Sequence, residues 1–129
     1  MALLSNKDNI VKENIIHINA AGRPIGRTAS EAAHILLGKH LPDFEKHKIS
    51  PTRVIIENVE KAVFTGKKVY QKNYYRHSGR LGRLKTTPLG KLYAVNPHKV
   101  MKLAIKGMLP RNRLLKLRLA KLSILRSAK

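Results

Sequence analysis

The sequence predicts a single α/β domain in which helices and strands form layers. Its first half reads as strand, helix and strand, the order typical of α/β folds. The length of 129 residues suits one domain, and the hydrophobic share of 43% is too high for a disordered basic tail. Residues 1–14 are mostly polar, so we expect a loosely ordered N-terminal arm followed by one domain over 15–129.

Each element of the first half has its own local signal. Residues 15–18 form an apolar run that predicts a buried strand. Apolar residues at helical spacing predict a helix over 25–37, with Pro24 in its first turn and Gly38 at its C-terminal end. Residues 53–57, Arg-Val-Ile-Ile-Glu, predict a second buried strand.

Signals in the middle of the chain are weaker. Residues 59–64 predict a short helical turn that is closed by Thr-Gly at 65–66. The segment 67–76 contains strand-forming residues. Residues 77–95 hold three glycines, a proline and many bases, so we expect a long basic loop there.

The last third is predicted to begin with a helix. Asn96 is a good N-cap, and Pro97 suits the first helical position. The apolar stripe of this helix is Val100, Met101, Ala104, Ile105 and Met108, and Pro110 ends it. From Arg111 onwards two interpretations stay open, because leucines alternate with bases as in a strand but also allow a helix. We expect this part to form a basic C-terminal extension.

Charge is divided unequally between the two parts of the chain. Residues 1–60 carry 8 basic and 7 acidic residues, whereas residues 61–129 carry 19 basic residues and no acidic one. The formal charges are therefore +1 and +19. Self-repulsion on this scale opposes compaction, so the distribution indicates a polyanionic partner, of which nucleic acid is the commonest.

Several other classes of function are disfavoured. The chain has no Cys, and none of its six histidines has the i, i+4 spacing of a helical zinc pair. We therefore expect no metal and no cofactor. The acidic residues lie apart from the basic half, so we also expect no catalytic carboxylate pair and no enzyme activity. No apolar run approaches the roughly 20 residues that span a bilayer. A membrane-surface helix over 101–129 is a weaker alternative, because Pro110 interrupts it.

The turn Gly22-Arg-Pro-Ile-Gly-Arg-Thr28 lies between the first strand and the first helix, where a nucleotide-binding loop would lie. A P-loop needs four residues between its glycines and a Lys before the Ser or Thr. Here the spacing is three, and Arg27 precedes Thr28. We therefore favour a tight turn whose Arg23 and Arg27 contact nucleic-acid phosphate. A purely structural turn and an RNA- or nucleotide-processing enzyme are the alternatives.

The segment 67–85 interleaves cations, tyrosines and glycines without an acidic residue. Its cations would bind an RNA backbone, Tyr74 and Tyr75 could stack on unpaired bases, and its glycines would let the chain follow a groove. Because alternate strand residues face opposite ways, one of Tyr74 and Tyr75 is equally well assigned to the core.

Five motifs, in order, resemble those of the large-subunit ribosomal protein thirteen family, the universal L-thirteen family. The most specific are Tyr74-Tyr-Arg-His-Ser-Gly79, with the basic glycine-rich residues that follow to Lys85, and Ala104-Ile-Lys-Gly-Met-Leu-Pro-Arg-Asn112. The turn and helix at 22–30, the basic segment at 37–40 and the Thr-Gly-Lys-Lys turn at 65–68 also agree. The resemblance covers about residues 15–125.

This resemblance implies a three-layer α/β/α domain around a small, largely parallel sheet, with a strand near 121–125. It also implies a structural component of the large ribosomal subunit that binds large-subunit ribosomal RNA beside neighbouring large-subunit proteins, not as a homo-oligomer. The location would be a cytoplasmic ribosome or an organellar one. The residues expected to bind RNA are Arg23, Arg27, Lys39, His40, Lys67, Lys68, Lys72, Tyr74, Tyr75, Arg76, His77, Arg80, Arg83, Lys85, Lys106, Arg111 and Arg113.

The chain departs from the family's pattern at several positions. Asn19 replaces the usual Asp, and residues 49–51 lack the usual acidic or glycine residues. Arg80 and Arg83 add charge to the glycine-rich stretch. The family's His-Pro-His-like motif near the C-terminus does not occur in this sequence, so we do not expect RNA contacts of that kind.

Overall fold

The structure is a computed structural model that describes residues 14–125. Apart from Asn14, the predicted N-terminal arm lies outside the described residues, as does the segment 126–129. The elements are β1 (Ile15–Asn19), α1 (Ile25–Leu37), β2 (Arg53–Glu57), a 3-10 turn (Val59–Lys61), α2 (Lys68–Gln71), β3 (Asn73–His77), β4 (Leu84–Pro88), α3 (Leu89–Val95), α4 (Pro97–Met108), α5 (Leu114–Ala120) and β5 (Leu122–Ile124).

Strands β1, β2 and β5 form a parallel sheet with β2 in the centre. In this register Ile18 lies beside Ile56, and Ile56 lies beside Ile124. Successive strand residues point to opposite faces of a sheet. Consequently Ile18, Val54 and Ile56 are buried in the core, whereas His17 is exposed on the other face.

Helices α1 and α4 pack against each other over the core side of the sheet. Helix α1 ends at Gly38, which has a φ of 84° and whose amide donates to the Ile35 carbonyl oxygen. The positive φ favours glycine, and a Cβ at this position would lie only 3.2 Å from Ser50 Cβ, so glycine also suits the close packing. At the start of α4, the Asn96 side chain accepts a hydrogen bond from the Lys99 amide.

The predicted α/β domain around a small, largely parallel sheet is confirmed. The strands predicted at 15–18 and 53–57 are β1 and β2, and the helices predicted over 25–37 and from Pro97 are α1 and α4. The strand that the resemblance places near 121–125 is β5. Parallel pairing of strands this far apart in sequence requires the long helical crossover that follows β2.

The prediction of a long basic loop over 77–95 is wrong. Only residues 78–83 form a loop, because β4 pairs antiparallel with β3 and α3 follows at once. Two of the three glycines that suggested a loop serve a hairpin turn, where Gly79 and Gly82 have φ angles of 86° and 73°, and Gly90 lies in α3. Pro88 sits at the N-cap of α3, where its missing amide costs nothing.

Two further predictions need correction. The segment 67–76 is only partly a strand, since a single helical turn, α2, precedes β3. The tail is not an extension, because α5 packs on the domain and β5 is the third strand of the parallel sheet. Of the two interpretations left open for the leucine-rich stretch, the helix is the one that forms.

Candidate nucleic-acid interface

The hairpin of β3 and β4 presents the densest group of predicted RNA-binding side chains. Arg76 lies directly opposite Lys85 in the strand register. Together with Ser78 and Arg83 they line a shallow recess of about 230 Å³. Like charges placed opposite each other destabilise a hairpin, and a polyanion in the recess would relieve that repulsion.

Tyr74 and Tyr75 occupy opposite sides of β3. Tyr74 is half-buried against the core, and this burial raises the pKa of its phenol. The Lys72 ammonium lies 5.3 Å from the centre of the Tyr74 ring, a cation–π contact. Tyr75 is 66% exposed. The expectation that one of the two belongs to the core is confirmed, and Tyr75 is the one that is free to stack on a base.

The turn between β1 and α1 is tied to the segment that follows β2. The Gly22 amide donates to the Lys61 carbonyl oxygen at 3.0 Å, and the Ile25 amide donates to the Val63 carbonyl oxygen at 3.2 Å. Arg23 pairs with Glu31 at 2.6 Å, so part of its charge is already neutralised, whereas Arg27 is exposed. These hydrogen bonds give the turn a structural role, and Arg27 is the better of its two predicted phosphate contacts.

Lys39 and His40 follow α1 and are both exposed. The His40 Nε2 atom lies 3.3 Å from the Thr52 hydroxyl oxygen, within hydrogen-bonding distance. This contact holds the ring at the entry to β2. One ring nitrogen of His40 is therefore already engaged by the protein.

A second basic group surrounds the C-terminal end of α4. Lys106 lies in the last turn, where a cation interacts favourably with the helix dipole. Lys106 and Arg111 line a recess of about 580 Å³ together with Gly107 and Asn112. Arg113 is exposed at the start of α5 but does not line this recess. The structure thus separates two cationic surfaces, the hairpin and the end of α4.

Nearly all of the predicted RNA-binding residues are exposed to solvent. All of them except Tyr74 are exposed, and within residues 14–125 only Arg23 among them pairs with a carboxylate. Glu45 pairs with Lys48 and with His47, and Glu57 pairs with His17. The hydrogen bond from Lys48 lowers the pKa of Glu45. The predicted RNA-binding cations of the second half are therefore left available for a polyanion, whereas Arg118 is buried and Lys121 donates to the Ser50 carbonyl oxygen.

Some residues at these surfaces were missed by sequence reasoning. Ser78, Gly107 and Asn112 line the two recesses, although only the cations beside them were predicted to bind RNA. All three lie inside the motifs quoted for the resemblance, which is the signal that could have identified them. Within residues 14–125, no helix has the length and apolar character needed to cross a membrane.

Comparison with known proteins gives one consistent result. The sequence model for the family described as "Ribosomal protein L13" matches residues 13–129. The large ribosomal subunit protein uL13 of Carboxydothermus hydrogenoformans is 52% identical over 108 residues, which cover 84% of this chain and 76% of that protein.

Two further relatives are similar over slightly longer stretches. The uL13 protein of Desulfitobacterium hafniense is 48% identical over 114 residues, covering 88% of this chain and 80% of that protein. The uL13 protein of Nitratidesulfovibrio vulgaris is 44% identical over 119 residues, covering 92% and 82% respectively.

Proposed function

Because this chain belongs to the ribosomal protein L13 family, we propose that it is a structural component of the large ribosomal subunit that binds large-subunit ribosomal RNA. Neutralisation of RNA phosphates by many Lys and Arg side chains provides most of the affinity. Exposed aromatic and glycine-rich segments fit the protein to folded RNA.

One observation gives the main support for this proposal. Residues 61–129 contain no acidic residue, and the predicted contact residues among them point outwards, with the single exception of Tyr74. Among the described residues, no predicted contact residue after position 60 pairs with a carboxylate. The β3–β4 hairpin, the turn around Arg27 and the end of α4 then form three contact regions for RNA, and neighbouring large-subunit proteins complete the surroundings.

The proposed location is the ribosome of the bacterial cytoplasm, since the similar proteins named above come from bacteria. An organellar ribosome is the alternative location. We expect one copy per subunit and no homo-oligomer, because self-association of a +20 chain would bring like charges together.

The nucleotide-processing alternative has little support. The family to which the chain belongs is structural and not enzymatic. In addition, the glycine turn that suggested a nucleotide site uses two of its amides to hold the segment after β2. Arg27 at this turn is better explained as one phosphate contact among many.

Co-sedimentation tests the proposal directly. Lysate from cells that express the tagged chain is separated on a sucrose gradient, and each fraction is probed for the protein. We expect migration with the large subunit that persists through a moderate salt wash. Purified protein should also bind a large-subunit ribosomal RNA transcript with an affinity that falls steeply with salt. Protein that stays at the top of the gradient, together with salt-independent RNA binding, would overturn the proposal.

A further inference from the structure

One cleft of the domain is lined by segments that are distant in sequence. Its volume is about 290 Å³. It opens between the first turn of α1, the segment around α2, the start of β3 and one face of α4. The residues that matter for its chemistry are Gly26, Lys68, Lys72, Tyr74, Ala104 and Gly107.

The lining divides into an apolar wall and a cationic side. Leu103 and Ala104 belong to the wall, with the half-buried Tyr74 beside it. Lys68 is the first residue of α2 and Lys72 is its C-cap, and the Lys72 ammonium lies 5.3 Å from the centre of the Tyr74 ring. None of the described residues that line the cleft is acidic. An occupant with a flat unsaturated ring and a negative charge matches this combination.

Two glycines line the cleft at positions where a side chain would enter open space. A Cβ added at Gly26 or at Gly107 would meet no heavy atom within 4 Å. Neither glycine has a positive φ, so neither is needed for an unusual backbone conformation. The empty space in front of both positions is therefore what a side chain would remove, at α1 and at α4.

We propose that this cleft holds one unpaired nucleotide of the large-subunit ribosomal RNA. The base lies against Tyr74 and the apolar wall, and its phosphate lies near Lys68 and Lys72. The cleft of about 290 Å³ is at the small end of ligand pockets, which usually have volumes of about 300–1,000 Å³. This size suits a single nucleotide better than a stretch of strand. Sequence-specific RNA recognition commonly uses splayed-out bases stacked on aromatic side chains.

This inference rests on the proposed function and deepens it, because it assigns one extruded nucleotide to a defined place. Its first test uses small probes on the full chain. Adenosine monophosphate, ribose 5-phosphate and inorganic phosphate are titrated separately at millimolar concentration, and amide chemical shifts are followed by NMR. We expect adenosine monophosphate to shift the amides of Gly26, Tyr74 and Gly107, with much smaller shifts from ribose 5-phosphate. Equal shifts from all three probes would reveal a phosphate site only and would overturn the proposal.

The second test fills the cleft without changing charge. Gly107→Leu places a side chain in the empty space, and Gly26→Leu does so from the other helix. Ala94→Leu is the matched control, because it adds the same kind of side chain at an exposed position of α3. Affinity for a large-subunit ribosomal RNA transcript is measured at fixed salt, and thermal melting confirms that each variant is folded.

We expect both glycine variants to bind the transcript about tenfold more weakly, a loss within the range of one stacked base, while the control binds like the unaltered protein. If the folded glycine variants bind like the control, the cleft inference fails while the proposed function stands. If the unaltered protein does not bind the transcript, the proposed function itself fails.

Discussion

Arg118 and Lys46 are joined across 72 positions of sequence by one hydrogen bond, in which Arg118 Nη2 donates to the Lys46 carbonyl oxygen at 3.0 Å. Arg118 is only 1% exposed, yet its Nε and Nη1 atoms have no hydrogen-bond partner. A guanidinium stays charged at any physiological pH. The fold therefore buries a positive charge that is incompletely compensated, at the point where α5 meets the loop before β2.

We expect Arg118→Met to stabilise the protein. Methionine has a comparable length, removes the charge and eliminates two unsatisfied donors, each of which costs roughly 1–3 kcal/mol when buried. Lys46 is exposed, so water can replace the lost bond to its carbonyl group. Urea denaturation should show a free energy of unfolding that is raised by about 1 kcal/mol or more. Arg113→Met, at an exposed position, is the control. A less stable Arg118→Met variant would show that Arg118 is compensated in a way the contacts do not reveal.

Tyr75 is expected to contribute to RNA binding and not to stability. Tyr75→Ala should weaken binding to a large-subunit ribosomal RNA transcript by about tenfold, because stacking contributes ~1–3 kcal/mol per base. Filter binding measures the affinity, and urea denaturation should show a change within about 0.5 kcal/mol, as for most exposed positions. Tyr70→Ala, which removes a tyrosine that is 87% exposed, should leave RNA affinity nearly unchanged. Equal losses in the two variants would argue against a specific stacking role for Tyr75.

The cations of the β3–β4 hairpin should determine part of the salt dependence of RNA binding. Changing Arg76, Arg83 and Lys85 together to Gln is expected to reduce the slope of log K against log salt concentration by about 2–3, since each phosphate contact contributes ~0.7–0.9. A triple Gln variant at the exposed lysines 91, 99 and 102 carries the same charge change on α3 and α4. Its slope should change less. If both triple variants give the same slope, RNA binding depends on net charge and not on the hairpin.

We expect the stability of the protein to fall at alkaline pH because of Tyr93. Its hydroxyl lies 2.7 Å from the Val59 carbonyl oxygen and can donate to it, and its ring packs edge-on against Phe64. Burial raises the pKa of the Tyr93 phenol, so the folded state holds the proton more tightly than the unfolded chain. The contribution of this proton to the free energy of unfolding is fully present below the unfolded-state pKa of about 10. It is lost as pH rises through the pKa of the folded state.

Tyr93→Phe removes both the hydrogen bond and the titration. We expect the free energy of unfolding at neutral pH to fall by about 0.5–1.5 kcal/mol. We also expect the difference between the two proteins to shrink as pH is raised above about 10, because the unaltered protein alone loses this contribution. Urea denaturation at a series of pH values measures both effects. A difference that is constant across this range would exclude the predicted linkage.

Local signals were sufficient for the elements whose partners lie nearby in sequence. The periodic apolar residues of 25–37, with Gly38 behind them, predicted α1 with the bounds that the structure shows. The same signals failed between 77 and 95, where glycines and bases suggested a loop. Residues 84–88 form a strand because β3 lies opposite and pairs with them. The composition of these five residues does not indicate which segment they will pair with.

The sequence by itself determined the α/β class, the first helix and the first two strands, and the division of charge that indicates a polyanionic partner. Periodicity, helix ends and charge depend on residues close together in the chain, so they can be recognised without a fold. Only the tertiary structure decided that Tyr74 faces the core while Tyr75 faces outwards, and that Gly26, Lys72 and Gly107 line one cleft. These relationships depend on long-range packing, which brings distant segments together and is not encoded in any one of them.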